Sequence, residues 1–435
     1  MELPGPAAPA AADAQPGQPG FIPVRVHGWR VRNAVPSVAF LAAAPWLAEV
    51  ISRADPQVFE AFNQAACALT GYSEMAHVQD ARSGREYEID IRCVRDAAEQ
   101  KSGFKHYWAG LDGQVYFPAA LENPRIFGID KQPQARAVLR QLQQLRKSAG
   151  QSDLPSPYYA ILLMDGDQLG KHMGDEVKQQ PISAALNAFT QSVGDIVREH
   201  NGFLIYAGGD DVLALLPLEC ALPAAAELQS MYRRQFEHYS PLGKPIDSTL
   251  SGAIEYVHIR TPLTCVLKDA HKLLDDIAKE QTGRNAIAVR VWKPSGLVAQ
   301  WAMPWEKALD SQGQVRMAQL AQDFAKQARQ ADGEMFSNKF FFRMQQVLER
   351  FEHADNDILQ KLLLAEYLHS WGELGKRTGL DMPRLEEQLG QLLAQCMQWR
   401  RPQPGQAKLE LHKTPFNPEA ALLVRFLAQK GLDKE

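Results

Sequence analysis

A Gly-Gly-Asp-Asp segment between two apolar runs is the feature that most constrains the fold of this chain. The runs FLIYA and VLALLPL lie on either side of Gly208, Gly209, Asp210 and Asp211. Two runs of strand length joined by a short Gly-Asp turn predict a β-hairpin. The glycines can take positive φ and leave room for a ligand beside the backbone. Adjacent carboxylates at the tip are hard oxygen ligands that suit Mg²⁺ or Mn²⁺ and, through the metal, nucleotide phosphates. An ordinary Gly-Asp turn is the alternative, since these residue types dominate turns.

A second acidic loop lies upstream of the hairpin. Residues 158–170 read YYAILLMDGDQLG, in which a continuous apolar run predicts a buried central strand. The run stops at Asp165, Gly166 and Asp167, before a loop that leads into a helix. A solvated turn explains one such strand end. Two acidic strand ends in one predicted sheet are more typical of a site that holds a metal.

The order of predicted elements brings these two strand ends together. Strands are expected at residues 158–164, 203–207, 212–218, 248–259 and 286–292, with helices near 182–200, 220–237 and 262–280. This is a βαββαβ pattern with one added helix and strand, and in such a sheet the first strand lies beside the central hairpin. Asp165 is therefore expected to face Asp210 and Asp211. Three carboxylates at one place raise one another's pKa values unless a divalent cation neutralises them.

These segments together resemble the polymerase/cyclase palm, and most closely the large subunit of type III CRISPR effector complexes of the Cmr type (III-B). The stretches that carry the resemblance are residues 155–174, 206–218, 248–263 and 278–292. The last stretch, AKE followed by GRN, is also similar to the diguanylate cyclase palm. The resemblance implies an α+β chain with a ferredoxin-like palm, an N-terminal α/β region and a C-terminal helical domain.

The resemblance also implies an activity. Palms of this family join ATP molecules 3′ to 5′ into cyclic oligoadenylates and release pyrophosphate when the complex binds target RNA. In-line attack of a ribose 3′-hydroxyl on an α-phosphate needs two metal ions and positioned carboxylates rather than covalent catalysis. Asp165, Asp210 and Asp211 are the expected metal ligands and catalytic residues. The carbonyl of Gly166 is expected to add a ligand.

Further residues of the predicted nucleotide site follow from the same resemblance. Lys279 lies where the family has a phosphate-contacting lysine, and Arg284 is expected to assist it. Without the resemblance, Lys279 is better explained as a solvated lysine at a helix end. Ser251 precedes a strand glycine that allows close approach of a nucleotide. Met173 occupies the position of the guanine-reading asparagine of diguanylate cyclases, which favours an adenine nucleotide.

Several functions lack their sequence signals. The 435 residues contain no His-Asp dipeptide, so an HD-less member without nuclease activity is expected. The five cysteines form no CxxC pair, so no zinc is expected. The chain shows no secretory signal and no apolar run of membrane-spanning length, which predicts a cytoplasmic protein with no membrane partner. The expected partners are other effector subunits, guide crRNA and target RNA. The net charge of −4 leaves RNA contact to local patches or to those subunits.

The chain length suggests about three domains. Residues 1–20 are rich in Pro, Ala and Gly and are expected to be disordered. Residues 21–150 are expected to form an α/β region, a degenerate palm or its remnant, with a role in docking to the ribonucleoprotein. Short strands are expected there at 87–92 and 114–117, with a helix at 135–147. The palm is assigned to residues 151–296 and the helical domain to 297–435.

Three interpretations remain open at this point. The first interpretation is a nucleotide synthase within a CRISPR ribonucleoprotein, whose adenylyl acceptor is ATP or another small molecule. Alternatively, it is a catalytically silent scaffold subunit of the same complex. The third interpretation is a stand-alone nucleotide cyclase or a template-dependent polymerase. The intact acidic residues argue against a silent scaffold. Residues 36–47 and 112–118 resemble segments upstream of the palm in the same CRISPR subunit, and this argues against a stand-alone enzyme.

Overall fold

The computed structural model gives two compact units, residues 1–40 with 44–155, and residues 41–43 with 156–435. The residues it describes are 24–26, 29–31, 36–71, 91–101, 111–151, 153–330, 343–344, 346–347, 350, 356–371, 382–402 and 408–432.

A six-stranded sheet forms the centre of the second unit. Its strands are β3 (Tyr158–Asp167), β4 (Phe203–Gly208), β5 (Asp211–Pro217), β6 (Thr249–His258), β7 (Ala286–Lys293) and β8 (Gly296–Pro304). They lie in the order β4-β5-β3-β6-β7-β8, and every neighbouring pair is antiparallel except β6 and β7. The first four strands have the ferredoxin-like order. The predicted α+β palm, with its first strand beside the central hairpin, is therefore confirmed.

Helices cover both faces of this sheet. On one face, α8 (Glu176–Glu199) and α9 (Ala221–Tyr239) pack in a core that includes Leu162 and Met164 of β3. On the other face, α10 (Leu263–Lys272) and a π-helix (Leu273–Gln281) pack on Leu163 of β3. Because β3 is buried on both faces, its sequence is a continuous apolar run rather than an alternating one.

Three short helical segments follow strands of this sheet. They are α7 (Leu169–His172), a 3₁₀ turn (Leu218–Cys220) and α11 (Trp305–Ala308). Trp305 is buried, and its indole nitrogen donates a hydrogen bond to the Leu250 carbonyl (2.9 Å). This bond joins the end of β8 to the start of β6.

The C-terminal part of the second unit is mainly helical. It contains α12 (Arg316–Gln330), α13 (Asn356–Trp371), α14 (Met382–Cys396) and α15 (Glu419–Ala428). It also contains a hairpin of β9 (Met397–Arg400) and β10 (Glu410–Phe416), which a purely helical expectation did not include. Strand β8 starts at the expected boundary, residue 296, and extends the palm sheet. The division into palm and helical domain at this point stays a prediction.

The first unit contains a small hairpin, β1 (Val24–Val26) and β2 (Trp29–Val31). Its helical part comprises α2 (Pro56–Thr70), α3 (Arg92–Gln100), α4 (Pro118–Leu121), α5 (Pro124–Phe127) and α6 (Gln132–Ser148), while α1 (Val38–Arg53) spans the division between the units. The α2 and α6 helices pack together through apolar faces that include Phe62 and Leu142. The predicted helix at 135–147 is confirmed.

Two strand predictions for the first unit had a different outcome. Gly113–Tyr116 is a 3₁₀ helix, so the strand predicted at 114–117 is wrong. The side chain of Asp112 accepts a hydrogen bond from Gln114 N (3.0 Å) and closes a tight turn in place of an extended strand. The strand predicted at 87–92 lies mostly outside the described residues, and Arg92 begins α3. Residues 1–20 also lie outside the described residues.

Within the described residues, no helix combines the length and the apolar character that crossing a bilayer requires.

Leucine 162, at the centre of β3, is fully buried. Leu162→Ala is expected to lower the free energy of unfolding by about 2–5 kcal/mol, because it removes apolar contacts and leaves a cavity. Leu242→Ala is the matched control, since Leu242 is fully exposed, and it should change stability by no more than about 0.5 kcal/mol. Urea denaturation of both variants measures the difference. Equal effects would mean that β3 is not the buried centre of this unit.

A buried acidic residue lies on the α10 side of the sheet. Glu255 of β6 has no solvent exposure. Its burial is the main cause that raises its pKa to about 9, and the nearby Asp269 carboxylate is the second. Asp269 also accepts hydrogen bonds from Arg290 (2.8 Å) and from the Trp292 indole (3.1 Å). Glu255 therefore carries its proton at neutral pH in the folded chain.

This proton makes stability depend on pH. The unfolded chain releases it near the ordinary value of 4.5, so stability should fall as pH rises from about 4.5 to about 9. Glu255→Gln, which needs no proton to stay neutral, should flatten this decline, and denaturant midpoints between pH 5 and pH 9 test it. Glu237→Gln, at a largely exposed position, is the control and should keep the wild-type slope. An unchanged slope in Glu255→Gln would contradict the expectation.

Candidate functional site

The register of β3 and β5 brings the two acidic segments side by side. Met164 of β3 lies opposite Val212 of β5, so the next residues towards the sheet edge are Asp165 and Asp211. On its other side, Asp165 lies opposite Ser251 of β6. The carboxyl groups of Asp165 and Asp211 interact, and this interaction contributes to a raised pKa of Asp211. The expected proximity of the strand end and the hairpin tip is thus present.

The hairpin turn needs only one of its two glycines in the left-handed region. Gly208 is paired with Asp211 at the end of the ladder, and Gly209 has a φ of +66°. Glycine at the first central position is the pattern of type II′ hairpin turns. The Gly209 carbonyl accepts a hydrogen bond from the Thr190 hydroxyl of α8 (3.1 Å). This contact ties the turn to the helix beside it.

Gly166 is needed for space rather than for backbone freedom. A Cβ at this position would lie 2.6 Å from Asp210 Oδ2 and 2.6 Å from the Tyr232 hydroxyl oxygen. Both distances are far below van der Waals contact. The Asp210 carboxylate therefore packs directly on the backbone of β3, and a glycine between Asp165 and Asp167 is what allows it.

Crowding of the carboxylates shifts their proton equilibria. Burial is the main cause that raises the pKa of Asp210, and the charge of Asp165 adds to it. Burial, contact with Asp165 and the charge of Asp210 raise the pKa of Asp211 to about 6. The Lys279 ammonium acts in the opposite direction on both groups. The cluster thus has an excess of negative charge that one lysine only partly offsets.

Lys279 lies at the site, where it is bound to acidic side chains. It extends from the π-helix, and its Nζ is 2.5 Å from Asp165 Oδ2 and 3.6 Å from Asp275 Oδ1. Only 15% of its side chain is exposed, so the ion pair with Asp165 is well shielded. Arg284 also lies beside acidic side chains. Its guanidinium is 3.2 Å from Glu280 and 4.0 Å from the buried Asp167.

The donor chemistry of the cluster fits a divalent cation. Asp165, Asp210 and Asp211 offer hard oxygens that suit such a cation. Burial, with the charge of the neighbouring carboxylates, raises the pKa values of Asp210 and Asp211, and a cation relieves the repulsion between these groups. As the described side chains stand, no group of three or more His, Cys, Asp or Glu is arranged to hold a metal ion. Asp165 is instead paired with the Lys279 ammonium. A cation bound by all three carboxylates thus has to compete with this lysine.

Asp167 is a buried residue next to the acidic cluster. Its side chain is fully buried, and its carboxylate accepts hydrogen bonds from the hydroxyls of Thr249 (2.7 Å) and Ser251 (2.8 Å) and from the backbone nitrogen of Asn285 (3.0 Å). Burial raises the pKa of Asp167, and these hydrogen bonds oppose the shift. Ser251, predicted to contact a nucleotide, thus directs its hydroxyl to Asp167.

Two supporting residues were not found by sequence reasoning. Tyr232 of α9 lies against Gly166, and its hydroxyl is 2.8 Å from Ser248 Oγ, which donates to the Asp167 carbonyl (3.0 Å). Asn285 donates its backbone N–H to the Asp167 carboxylate. A tyrosine in an apolar helix carries no signal of this contact. Asn285 lies in the GRN segment, and that position was the available signal.

Comparisons with known proteins agree with this geometry. Residues 158–288 match the family model described as Cas10/Cmr2, second palm domain. This span runs from β3 into β7 and contains the acidic strand end, the hairpin and Lys279. The palm of this chain belongs to the Cas10/Cmr2 family. Its assignment to the Cmr type, the type III-B large subunit, is supported by the curated relatives.

The Cas10/Cmr2 palm has two such relatives. The chain is 34% identical over 181 residues to the CRISPR system Cmr subunit Cmr2 of Pyrococcus furiosus, covering 35% of this chain and 20% of the relative. It is 30% identical over 127 residues to the Cmr2 subunit of Saccharolobus solfataricus, covering 25% of this chain and 11% of the relative. The chain thus matches a fifth or less of the length of these relatives.

Among solved structures, one neighbour is a chain of the type III-B Cmr-beta complex bound to cognate target RNA. Its TM-score is 0.49 at 14% sequence identity, over 91% of this chain and 48% of that chain.

Gly166→Ala is expected to destabilise the Cas10/Cmr2 palm by about 1–3 kcal/mol, because the new methyl group overlaps Asp210 and the buried Tyr232 hydroxyl. It should also weaken Mn²⁺ binding, since Asp210 has to move. Gly170→Ala is the matched control, because a Cβ there meets nothing within 4 Å. Thermal unfolding and Mn²⁺ titration by electron paramagnetic resonance compare the two. Equal behaviour would show that Asp210 is not packed against Gly166.

Proposed function

We propose that this chain is the nucleotidyltransferase subunit of an RNA-guided type III CRISPR complex. On binding of target RNA, it joins ATP molecules 3′ to 5′ into a cyclic oligoadenylate or a related adenylyl conjugate and releases pyrophosphate. The proposal rests on one observation above all. Asp165, Asp210 and Asp211, from two separate strand ends, meet beside Lys279 at one edge of a Cas10/Cmr2 palm.

Each residue of the cluster has a role in this reaction. Asp165, Asp210 and Asp211 hold the metal ions, and the Gly166 carbonyl lies next to them in the chain. When bound, the metal lowers the pKa of the ribose 3′-hydroxyl and offsets charge on the phosphate and the leaving group. The carboxylates fix the position of the site, since β3 and the hairpin are tied by a continuous ladder. Fixed charges that need no rearrangement during the reaction are an efficient source of transition-state stabilisation.

Lys279 and Arg284 are the residues we assign to the triphosphate. Lys279 pairs with Asp165, and its ammonium would be available to a phosphate oxygen if that carboxylate held a metal ion instead. Arg284 extends from the adjoining loop and offers the planar fork that suits phosphate. A Cβ on Gly209 would meet nothing within 4 Å, so a nucleotide can approach the backbone of the hairpin tip there, while the Tyr206 side chain lies beside Gly208.

Adenine is the proposed base. Met173, at the C-terminal end of α7, is 45% exposed and offers no amide to read guanine. An exposed thioether can contact a purine face without choosing its hydrogen-bonding edge.

The partners of the chain belong to the same proposal. Other effector subunits, guide crRNA and target RNA would surround the palm, and the assembly would act in the cytoplasm. The net charge of −4 is consistent with RNA held largely by the other subunits.

A catalytically silent scaffold is the main alternative. The ion pair between Lys279 and Asp165 favours it, because a lysine that permanently neutralises the first carboxylate would leave no metal site. A stand-alone nucleotide cyclase is the other alternative, and it predicts turnover without any RNA. The experiment that tests the proposal separates all three.

The chain is incubated with α-labelled ATP and Mg²⁺ or Mn²⁺, alone and assembled with its guide complex and target RNA, and products are identified by mass spectrometry. We expect pyrophosphate and an adenylate product, stimulated by target RNA. Asp210→Ala combined with Asp211→Ala should lower turnover by about 10²-fold or more, because the carboxylates that stabilise the reacting charges are lost.

Asp195→Ala is the control for this experiment. Asp195 lies on α8, is 71% exposed and pairs only with Arg198 among the described contacts, so turnover should be unchanged. Turnover that is independent of RNA would favour the stand-alone cyclase. Absence of ATP and GTP turnover in the activated complex would contradict the proposal and leave a scaffold subunit.

A further inference from the structure

The loop that supports the acidic cluster has an unfavourable backbone conformation. Gly283, Arg284 and Asn285 have φ values of +92°, +67° and +46°. Glycine adopts this region readily and asparagine tolerates it, whereas arginine adopts it only at a cost in free energy. Three such residues in succession persist only where surrounding contacts hold them. The loop therefore needs an identifiable clamp.

Arg401, which follows β9 more than a hundred residues later in the chain, makes two hydrogen bonds to this loop and a third to Glu306 of α11. Its backbone nitrogen donates to the Thr282 carbonyl (2.9 Å). Its guanidinium donates to the Arg284 carbonyl (2.7 Å) and to Glu306 Oε1 (2.5 Å). The arginine side chain is 5% exposed, which makes it one of the few buried charges of this unit. Burial makes these charge-assisted hydrogen bonds strong and their loss costly.

The backbone at Arg401 also explains the glycine in the loop. A Cβ on Gly283 would lie 2.3 Å from the Arg401 carbonyl oxygen and 2.8 Å from its Cβ. Two chain segments distant in sequence are thus pressed together with no side chain between them. Glu306 closes the arrangement, because the same Oε1 also accepts a hydrogen bond from the Asn285 side chain (3.1 Å).

The clamped loop leads directly to the acidic cluster. The Asn285 backbone nitrogen donates to Asp167, and the Arg284 backbone nitrogen donates to the Ala278 carbonyl, next to Lys279 (3.1 Å). The Asn285 carbonyl accepts from Trp305 N (2.9 Å). A shift of the loop therefore moves the Arg284 side chain and removes the hydrogen bond that Asn285 donates to the Asp167 carboxylate.

We propose that Arg401 is a positioning residue for the nucleotide site, which holds the 282–285 loop so that Arg284 and Lys279 face the triphosphate. The inference deepens the proposed function and rests on it. It also assigns a role to the strands β9 and β10, because their hairpin begins at the end of α14 and delivers Arg401 to the loop. Arg401 acts through Arg284 and does not itself touch the nucleotide.

The test compares Arg401→Ala and Arg401→Lys with the wild-type chain in two measurements. Hydrogen–deuterium exchange of peptides covering residues 278–288 should increase in Arg401→Ala, with less change elsewhere in the palm. The kcat/KM for ATP in the activated complex should fall by about 10- to 100-fold, as expected for a displaced positioning group. Arg401→Lys should fall between, because an ammonium lacks the fork that joins two acceptors.

Arg400→Ala is the matched control. Arg400 precedes Arg401, and its guanidinium pairs with Glu410 across the hairpin (2.6 Å). Its removal perturbs β9 and β10 but none of the contacts to the loop described above. Exchange of residues 278–288 and kcat/KM should both stay within about twofold of wild type.

Each other outcome overturns the inference or separates it from the proposed function. Unchanged loop exchange in Arg401→Ala, or faster exchange throughout the palm, would leave Arg401 a purely structural residue. Faster loop exchange with unchanged kcat/KM would also overturn the positioning role. If the wild-type complex turns over no ATP, the proposed function fails. Equilibrium binding of ATP in the presence of Mn²⁺ then tests the positioning role of Arg401. Equal affinity of the wild-type chain and Arg401→Ala for ATP would overturn that role.

Discussion

The direct contact between Asp210 and the backbone at Gly166 is the constraint on which the site depends. A hairpin tip is normally the most adaptable part of a sheet, because it is paired on one side only. Here the Asp210 carboxylate fills the space of a missing side chain in the central strand and lies against the Tyr232 hydroxyl. The hairpin tip is therefore held against β3, a strand that is buried on both faces. Fixed carboxylates of this kind are what a reaction that depends on charge stabilisation requires.

Charge balance is the second constraint. Three carboxylates at one edge cost free energy, and burial together with the charge of neighbouring carboxylates raises the pKa values of Asp210 and Asp211. Lys279 relieves part of it through its contact with Asp165. The lysine thereby stabilises the fold when no other cation is bound and competes with a metal that would bind there. In the proposed reaction, the flexible stem of Lys279 would let its ammonium leave Asp165 without displacing the π-helix that carries it.

The sequence predicted much of the fold and the position of the acidic cluster. The apolar run of β3 and the Gly-Asp hairpin have strong local signals, and the βαββαβ order follows from their spacing. Local signals failed at 114–117, where an Asp side chain closes a 3₁₀ turn, and at β9 and β10, which follow a helical pattern directly. The contact of Ser251 with Asp167 instead of an open site was also not predictable. Whether a strand hydroxyl faces a ligand or a buried carboxylate is decided by register across β3 and β6.

The contacts that hold the site come largely from outside the acidic motifs. Asp167 is held by β6 and by the GRN loop, and that loop is held by Arg401 and Glu306, which no local pattern connects to it. A backbone with three successive positive φ values stores strain that the later part of the chain offsets. The palm motif alone therefore does not define the complete site. Residues beyond 296 contact the 282–285 loop through Arg401 and Glu306, so the proposed nucleotide site depends on the C-terminal region as well as on the palm.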